Sequence, residues 1–234
     1  MPQLLSSKSL LHRKDPLIVG AVSSAATLEG LSQVTLAVDE CDVLELRLDS
    51  IDLPLEELTR HASHLPLPLL ITARHPQEGG DRGLSTEQRI ALLEAHLPHA
   101  ALMDIELRCA TEMLPLIRKA QAQGLGVIGS FHDFTHTPSE DVLRGAVDFG
   151  LQHKLNAVKI ATQLNSPDDL ARLLHVLTTE KRLPLSIMGM GQLGRVSRLL
   201  LAKCGSLLNY GYLGKSNAPG QWPARRLKEL VKEL

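Results

Sequence analysis

The sequence predicts an α/β chain of one domain, closed as a (β/α)8 or TIM barrel. Three observations carry that prediction. From Pro16 onward, apolar β-branched runs alternate with stretches of helical period, and they do so eight times. Alternating strands and helices build a parallel sheet, and eight such units are the number that a closed barrel uses. Polar residues then mark the carboxyl ends of nearly every strand, whereas an open doubly wound sheet gathers its ligand groups at one switch point. No linker, low-complexity tract or block of like charge divides the chain.

Taken in order, residues 1–16 carry serines and basic residues without a continuous apolar stretch, which argues against a secretory signal. They are expected to form an N-terminal extension, either a short cap or a partly disordered, frayed end; an organellar transit peptide is the other reading of their composition. The barrel domain then spans 17–234. Its expected strands are Leu17 to Ser23, Asp42 to Asp49, Leu67 to Arg74, Leu102 to Leu107, Gly126 to Phe134, Ala157 to Thr162, Leu183 to Met188 and Leu207 to Leu213. The helices between them carry start and stop signals. Ser85-Thr86-Glu87-Gln88 has the pattern of a capping box, and Ser166-Pro167-Asp168-Asp169 sets a cap residue, a first-turn proline and early acids in sequence. Gly124 follows the stretch from Thr111 to Gln123 as a helix-ending glycine does. An amphipathic helix from Pro223 to Leu234 closes the chain.

Composition narrows the function. Hydrophobic residues make up 44% of the 234 and aromatics 3%, so the core must be aliphatic. A formal net charge of −1 argues against nucleic acid or an anionic membrane as partner. No apolar run reaches the roughly 18 residues of a membrane span. Cys41, Cys109 and Cys204 are too widely spaced for a disulfide framework or a zinc site, which makes a reducing, cytoplasmic setting the default.

In such barrels the chemistry lies at the carboxyl ends of the strands. The sixth strand, Ala157-Val158-Lys159-Ile160-Ala161, holds a lysine inside an apolar run, between two alanines on its own face that leave room for a ligand. Two readings of Lys159 stand. Either it snorkels to water from a strand end, or burial holds it near its neutral, nucleophilic form. On the second strand Glu45, Arg47 and Asp49 share a face; alone this is a wet strand face, but with helices outside the barrel it must look inward, where carboxylate and guanidinium can hold a polar ligand. Arg74 ends the third strand, followed by a glycine-rich loop containing Glu78, and Glu106 takes an inward position as ligand group or ion-pair partner. His132 ends the fifth strand beside the lysine strand; with an unperturbed pKa of about 6.5 it could take and return a proton at neutral pH. The pairs His61/His64 and His96/His99 are expected on the surface, and no histidine has partners at metal-ligand spacing. Gly189-Met190-Gly191-Gln192-Leu193-Gly194 matches the dinucleotide fingerprint, but the acid that should follow about 20 residues on is missing. A glycine turn feeding a helix N-terminus, with Arg198 one turn inside and suited to an anion, accounts for it better.

Six pieces, in order along the chain, resemble the type I 3-dehydroquinate dehydratase family. They are Glu45-Leu46-Arg47-Leu48-Asp49, Arg74 with Glu78-Gly79-Gly80, Ser130-Phe131-His132-Asp133-Phe134, Val158-Lys159-Ile160, the run from Met190 to Arg198, and Ala218-Pro219-Gly220-Gln221. The resemblance implies that Lys159 forms an imine with the C3 carbonyl of 3-dehydroquinate. His132 would abstract a C2 proton and protonate the departing C1 hydroxyl, with Glu78 holding the histidine. It further implies that Arg198 holds the substrate carboxylate, while Glu45, Arg47, Arg74 and Gln221 bind hydroxyls and shape the closed site. No metal or organic cofactor is implied, and a homodimer is. Where the family usually has serine, this chain has Asn217, with Ser216 before it, which changes a loop contact. Two rivals remain at this point: a class I aldolase or transaldolase, which would show a phosphate grip after the last two strands, and a non-catalytic homologue that senses a related acid.

Overall fold

The computed structural model describes residues 7–13, 15–33, 37–216 and 220–234. After a short helix α1 (Ser7–Leu11), the strands are β1 (Leu17–Val22), β2 (Val43–Arg47), β3 (Leu69–Thr72), β4 (Leu102–Glu106), β5 (Gly126–Asp133), β6 (Ala157–Gln163), β7 (Leu185–Met190) and β8 (Leu208–Tyr212). Each pairs in parallel with its neighbour in the chain from β1 to β7, and β8 returns to pair with β1. The outer layer comprises α2 (Ala25–Gln33), α3 (Ala37–Glu40), α4 (Leu55–Ala62), α5 (Thr86–His96), α6 (Leu114–Ala122), α7 (Glu140–Gln152), α8 (Pro167–Thr179), α9 (Gly194–Lys203) and α10 (Ala224–Glu233). The fold is the TIM barrel that the alternation of strands and helices predicts.

Two apolar layers follow from the two-residue period of the strands. Outward positions such as Leu44, Leu46, Met103, Ile105, Val158 and Ile160 pack under the helices. Inward positions near the amino ends, among them Leu17, Val19, Val43, Leu70, Leu102 and Ile128, fill the barrel's lower interior together with Leu10 and Leu11 of α1. That helix lies across the bottom: a Cβ at Gly126 would meet Leu11 Cδ1 at 2.7 Å, and the Ser7 hydroxyl donates to the Gly124 carbonyl at 2.6 Å.

Several strand ends differ from the expected ones by one or two residues, each for a visible reason. β2 stops at Arg47 because its carbonyl accepts turn bonds from the Ser50 and Ile51 N–H groups. β3 stops at Thr72, and the Arg74 N–H goes to the Asp49 carboxylate instead of the ladder. β7 begins after Pro184, which has no N–H to give, and runs on to Met190. The expected capping box forms at Ser85/Gln88, the expected cap Ser166 closes a second box with Asp169, and Gly124 takes φ +86° beyond α6. The histidine pairs need correction. His61 and His96 are buried, because each falls on the barrel-facing side of its helix; His64 stays outside.

Closure between β7 and β8 is unlike the other seams. The Leu207 N–H reaches the Leu185 carbonyl at 2.9 Å, but serine side chains replace the next rungs. Ser186 Oγ accepts from the Leu208 N–H at 3.0 Å; Ser206 Oγ accepts from the Ile187 N–H at 2.9 Å and donates back to the Ile187 carbonyl at 3.1 Å. Replacing both serines by alanine leaves two buried N–H groups unpaired, at about 1–3 kcal/mol each. Urea unfolding of the double variant S186A/S206A should show a loss in that range per site; a loss below about 1 kcal/mol in total would contradict this role of the hydroxyls.

Candidate active site

Ascending each strand, the inward positions change from apolar to polar. On β2 they run Val43, Glu45, Arg47; across β3 and its exit, Leu70, Thr72, Arg74; on β4, Leu102, Asp104, Glu106; on β5, Ile128, Ser130, His132; on β6, Ala157, Lys159, Ala161. The apolar half is a floor and the polar half a cup at the carboxyl ends. One cavity there is lined by Glu45, Arg47, Arg74, Glu78, His132, Lys159, Arg198 and Gln221, together with Phe134, Met188, Met190 and Tyr210. Eight of the nine expected site residues therefore meet in one place. The ninth, Asn217, lies outside the described residues.

The cup is held by an ion-pair network that burial makes strong and exacting. One amino group of the Arg74 guanidinium donates to Asp104 and Glu106, both at 2.9 Å, and to Ser130 Oγ at 2.6 Å; the Ser130 hydroxyl in turn donates to Asp104 at 2.6 Å. Arg89 reaches in from α5, only 1% exposed, to bond Glu106 and to donate to the Ala73 carbonyl at 2.7 Å. Thr72 donates to Glu45 at 2.9 Å. Burial alone would raise the Asp104 carboxyl and lower the Arg74 guanidinium, yet each is driven the other way by its partners, so both stay charged.

Lys159 sits at the centre, 5% exposed, with Nζ 3.4 Å from Asp104 and 4.0 Å from the centroid of the Tyr210 ring. Burial pushes its pKa down; Asp104 and Glu45 oppose the shift, while Arg74 and Arg47 add to it. The snorkelling reading of this lysine is thereby excluded. On the adjacent strand β5, His132 Nδ1 lies 2.8 Å from a Glu78 carboxylate oxygen. Burial, then Arg74 and Lys159, lower the imidazole well below its ordinary value, and burial with Glu106 nearby raises the Glu78 carboxyl to about 7. The imidazole is thus neutral at neutral pH, and Glu78 is poised to gain or lose a proton there.

The loop that carries Glu78 is tied to the end of β2. Arg47 donates to the Gly79 carbonyl at 2.9 Å while its guanidinium grips Asp49, and Arg82 donates to the Asp49 and Leu48 carbonyls. Two glycines permit the path: Gly79 has φ +86°, and a Cβ at Gly80 would run into the Arg74 carbonyl. Phe134 stacks on His132 and packs against Gly79 while remaining 49% exposed at the rim. On the far wall Arg198, rising from α9, donates to the Tyr210 carbonyl at 3.0 Å; burial lowers its pKa to about 10, so it keeps its charge. Gly191 takes φ +82° and packs on Gln163, so the glycine-rich run serves the turn from β7 into α9. Among the described residues, no group of three or more His, Cys, Asp or Glu side chains is gathered to hold a metal ion.

Sequence reasoning gave no role to Asp104, Tyr210, Met188 or Met190. Asp104 had a usable signal, since it alternates with Leu102 and Glu106 on the inward side of its strand. Tyr210 and the two methionines carry no signal that separates a cavity wall from ordinary core.

Against known proteins, the model of the type I 3-dehydroquinase family matches residues 21–234. A 3-dehydroquinate dehydratase of Thermodesulfovibrio yellowstonii is 33% identical over 199 residues, covering 81% of this chain and 83% of that protein. Another, from Methanothrix thermoacetophila, is 32% identical over 231 residues and covers 96% and 94%. Among solved structures, the 3-dehydroquinate dehydratase of Geobacillus kaustophilus superposes with a TM-score of 0.87 at 25% identity, covering 100% of this chain and 96% of that one. That of Aquifex aeolicus gives 0.81 at 29% identity, covering 93% and 98%.

The network yields a prediction of its own. Replacing Asp104 by Asn strands Arg74 beside fewer charges and should cost about 3–5 kcal/mol in urea unfolding. Because Asp104 favours the charged amine, the same change should lower the Lys159 pKa further, as followed by NMR titration of the labelled side chain; a rise would show that the pair is not coupled in this way.

Proposed function

The chain belongs to the type I 3-dehydroquinase family, and on that premise we propose that it removes water from 3-dehydroquinate to give 3-dehydroshikimate, through an imine on Lys159. In this reading the neutral amine adds to the C3 carbonyl carbon, and the carbonyl oxygen leaves as water. The resulting iminium acidifies C2. His132 takes a C2 proton, and the electron pair passes toward nitrogen as an enamine. The enamine then expels the C1 hydroxyl, which His132 protonates to water, and a C1=C2 double bond remains. Hydrolysis of the iminium frees the product and the amine. A positioned base of this kind contributes about 10²–10⁴-fold.

The observation that carries the reading is that Lys159 and His132 line one buried cavity, each held toward its neutral form. Glu78 positions the imidazole. Arg198 takes the substrate carboxylate, and Glu45, Arg47, Arg74 and Gln221 take its hydroxyls, with Asn217 standing at the family's serine position. The same reading makes the protein a cytoplasmic homodimer acting on a small molecule, in shikimate-pathway synthesis or in quinate use. Among the described residues no helix is long and apolar enough to cross a membrane.

Two experiments test the proposal. Mixing the protein with 3-dehydroquinate should produce the ultraviolet absorbance of the conjugated product, and borohydride should trap a covalent adduct. Lys159→Ala should abolish trapping, whereas His132→Ala should still form adduct but release product slowly; equal, mild losses in both would contradict these roles. An aldolase would give no conjugated product, and a sensor would give neither product nor adduct.

The second experiment uses pH. When Glu78 is ionised, Nδ1–H donates to it and Nε2 is free to accept a proton; when Glu78 is protonated it donates to Nδ1, and Nε2 carries the hydrogen. Since the Glu78 pKa is raised to about 7, kcat should fall below that pH by about tenfold per unit and level off above it. Glu78→Gln should move this limb to lower pH; an unchanged limb near 7 would rule out Glu78 as its source.

A further inference from the structure

We propose that Tyr210 is a substrate-binding residue: its hydroxyl donates a hydrogen bond to an oxygen of the bound hydroxy acid, and its ring face holds the Lys159 nitrogen once that nitrogen is a cation. The second half rests on the imine reading; the first does not. Tyr210 occupies an inward position on β8, 4% exposed, and lines the cavity. Its hydroxyl has no hydrogen-bond partner among the described residues. The neighbouring polar side chains of the cup are engaged: Thr72 with Glu45, Ser130 with Asp104, and Arg74 with both acids of β4. A buried tyrosine hydroxyl ordinarily finds a partner, and one left unpaired is destabilising. A phenylalanine would fill the same space without that cost, so the hydroxyl has to be explained by what enters the cavity.

The surroundings identify what that is. Burial, then Glu45 and Asp104, hold the phenol well above its ordinary pKa, so the group is a donor and not an anion. Glu45 and Asp104 act on it only through space, and neither accepts a hydrogen bond from it, so the acceptor is left for a ligand to bring. A second unpaired donor belongs to a residue that lines the same cavity. Arg198 Nε also lacks a partner among the described residues, and the same guanidinium is anchored to the backbone carbonyl of Tyr210. Two free donors fixed to one strand residue suit a single ligand that offers a carboxylate and a nearby oxygen. The ring adds a separate contribution. Its face lies 4.0 Å from Nζ, and an aromatic face favours a cation over a neutral amine. Burial favours the neutral amine before reaction; the iminium is cationic by bonding, and the ring then stabilises it.

Tyr210→Phe and Tyr210→Leu test both halves in the full chain with 3-dehydroquinate as probe. Tyr210→Phe should raise KM by about tenfold, the worth of one hydrogen bond to a ligand. It should leave the unliganded protein as stable as the wild type or more so, and keep borohydride trapping. Tyr210→Leu should in addition reduce the trapped fraction. A wild-type KM in Tyr210→Phe, or a less stable unliganded protein, would overturn the hydroxyl's role, and equal trapping in all three proteins would overturn the ring's. Absence of trapping in the wild type itself would remove the imine reading, while a raised KM in Tyr210→Phe would still stand for the hydroxyl.

Discussion

Arg74 and Asp104 make the contact around which the upper interior of this barrel is arranged. Each is buried, where a charge without a partner is costly. Arg74 takes the nearer place on the carboxylate, at 2.9 Å, and leaves Lys159 at 3.4 Å. The difference matters because an amine fully paired with a buried carboxylate would be locked as ammonium. Here the carboxylate is already occupied by a guanidinium that never gives up its proton, so the lysine keeps a counter-charge nearby without being captured by it. The same arginine holds Glu106, which Arg89 steadies from the helical layer, so the charge balance of the cup extends through the wall of the barrel.

A parallel arrangement governs the histidine side. Glu78 comes from a loop, and a loop needs ties before it can hold a side chain to an exact place. Arg47 and Asp49 at the end of β2 supply them, with Arg82 of the loop itself bonding back to that strand end, so the acid that meets His132 is fixed against a different strand. Two tasks are thereby joined in Arg47: its guanidinium lines the cavity and also fastens the loop.

Much of this was legible in the sequence, and the limits of legibility are physical. Alternation gave the inward set on β2 and β6, because a two-residue period fixes the side once the helices are known to lie outside. Strand ends were less legible where a side chain competes with the ladder, as Asp49 does for the Arg74 N–H. His61 and His96 were misplaced because a polar residue on a helix gives no sign of burial when its hydrogen bond stays local, as His96 Nδ1 does with the Leu92 carbonyl. Asp104 was visible as an inward residue but not as the lysine's partner, since that pairing joins residues 55 apart across strands β4, β5 and β6. Tyr210 looks in sequence like one more large residue in a buried strand.

The helix beneath the barrel has a consequence of its own. With Leu10 and Leu11 packed against the floor, the tube is blind at one end. Every molecule that arrives, and every molecule made or released, passes through the same opening, the one rimmed by Phe134 and the Glu78 loop. Traffic is therefore single-file: departure of one occupant precedes arrival of the next.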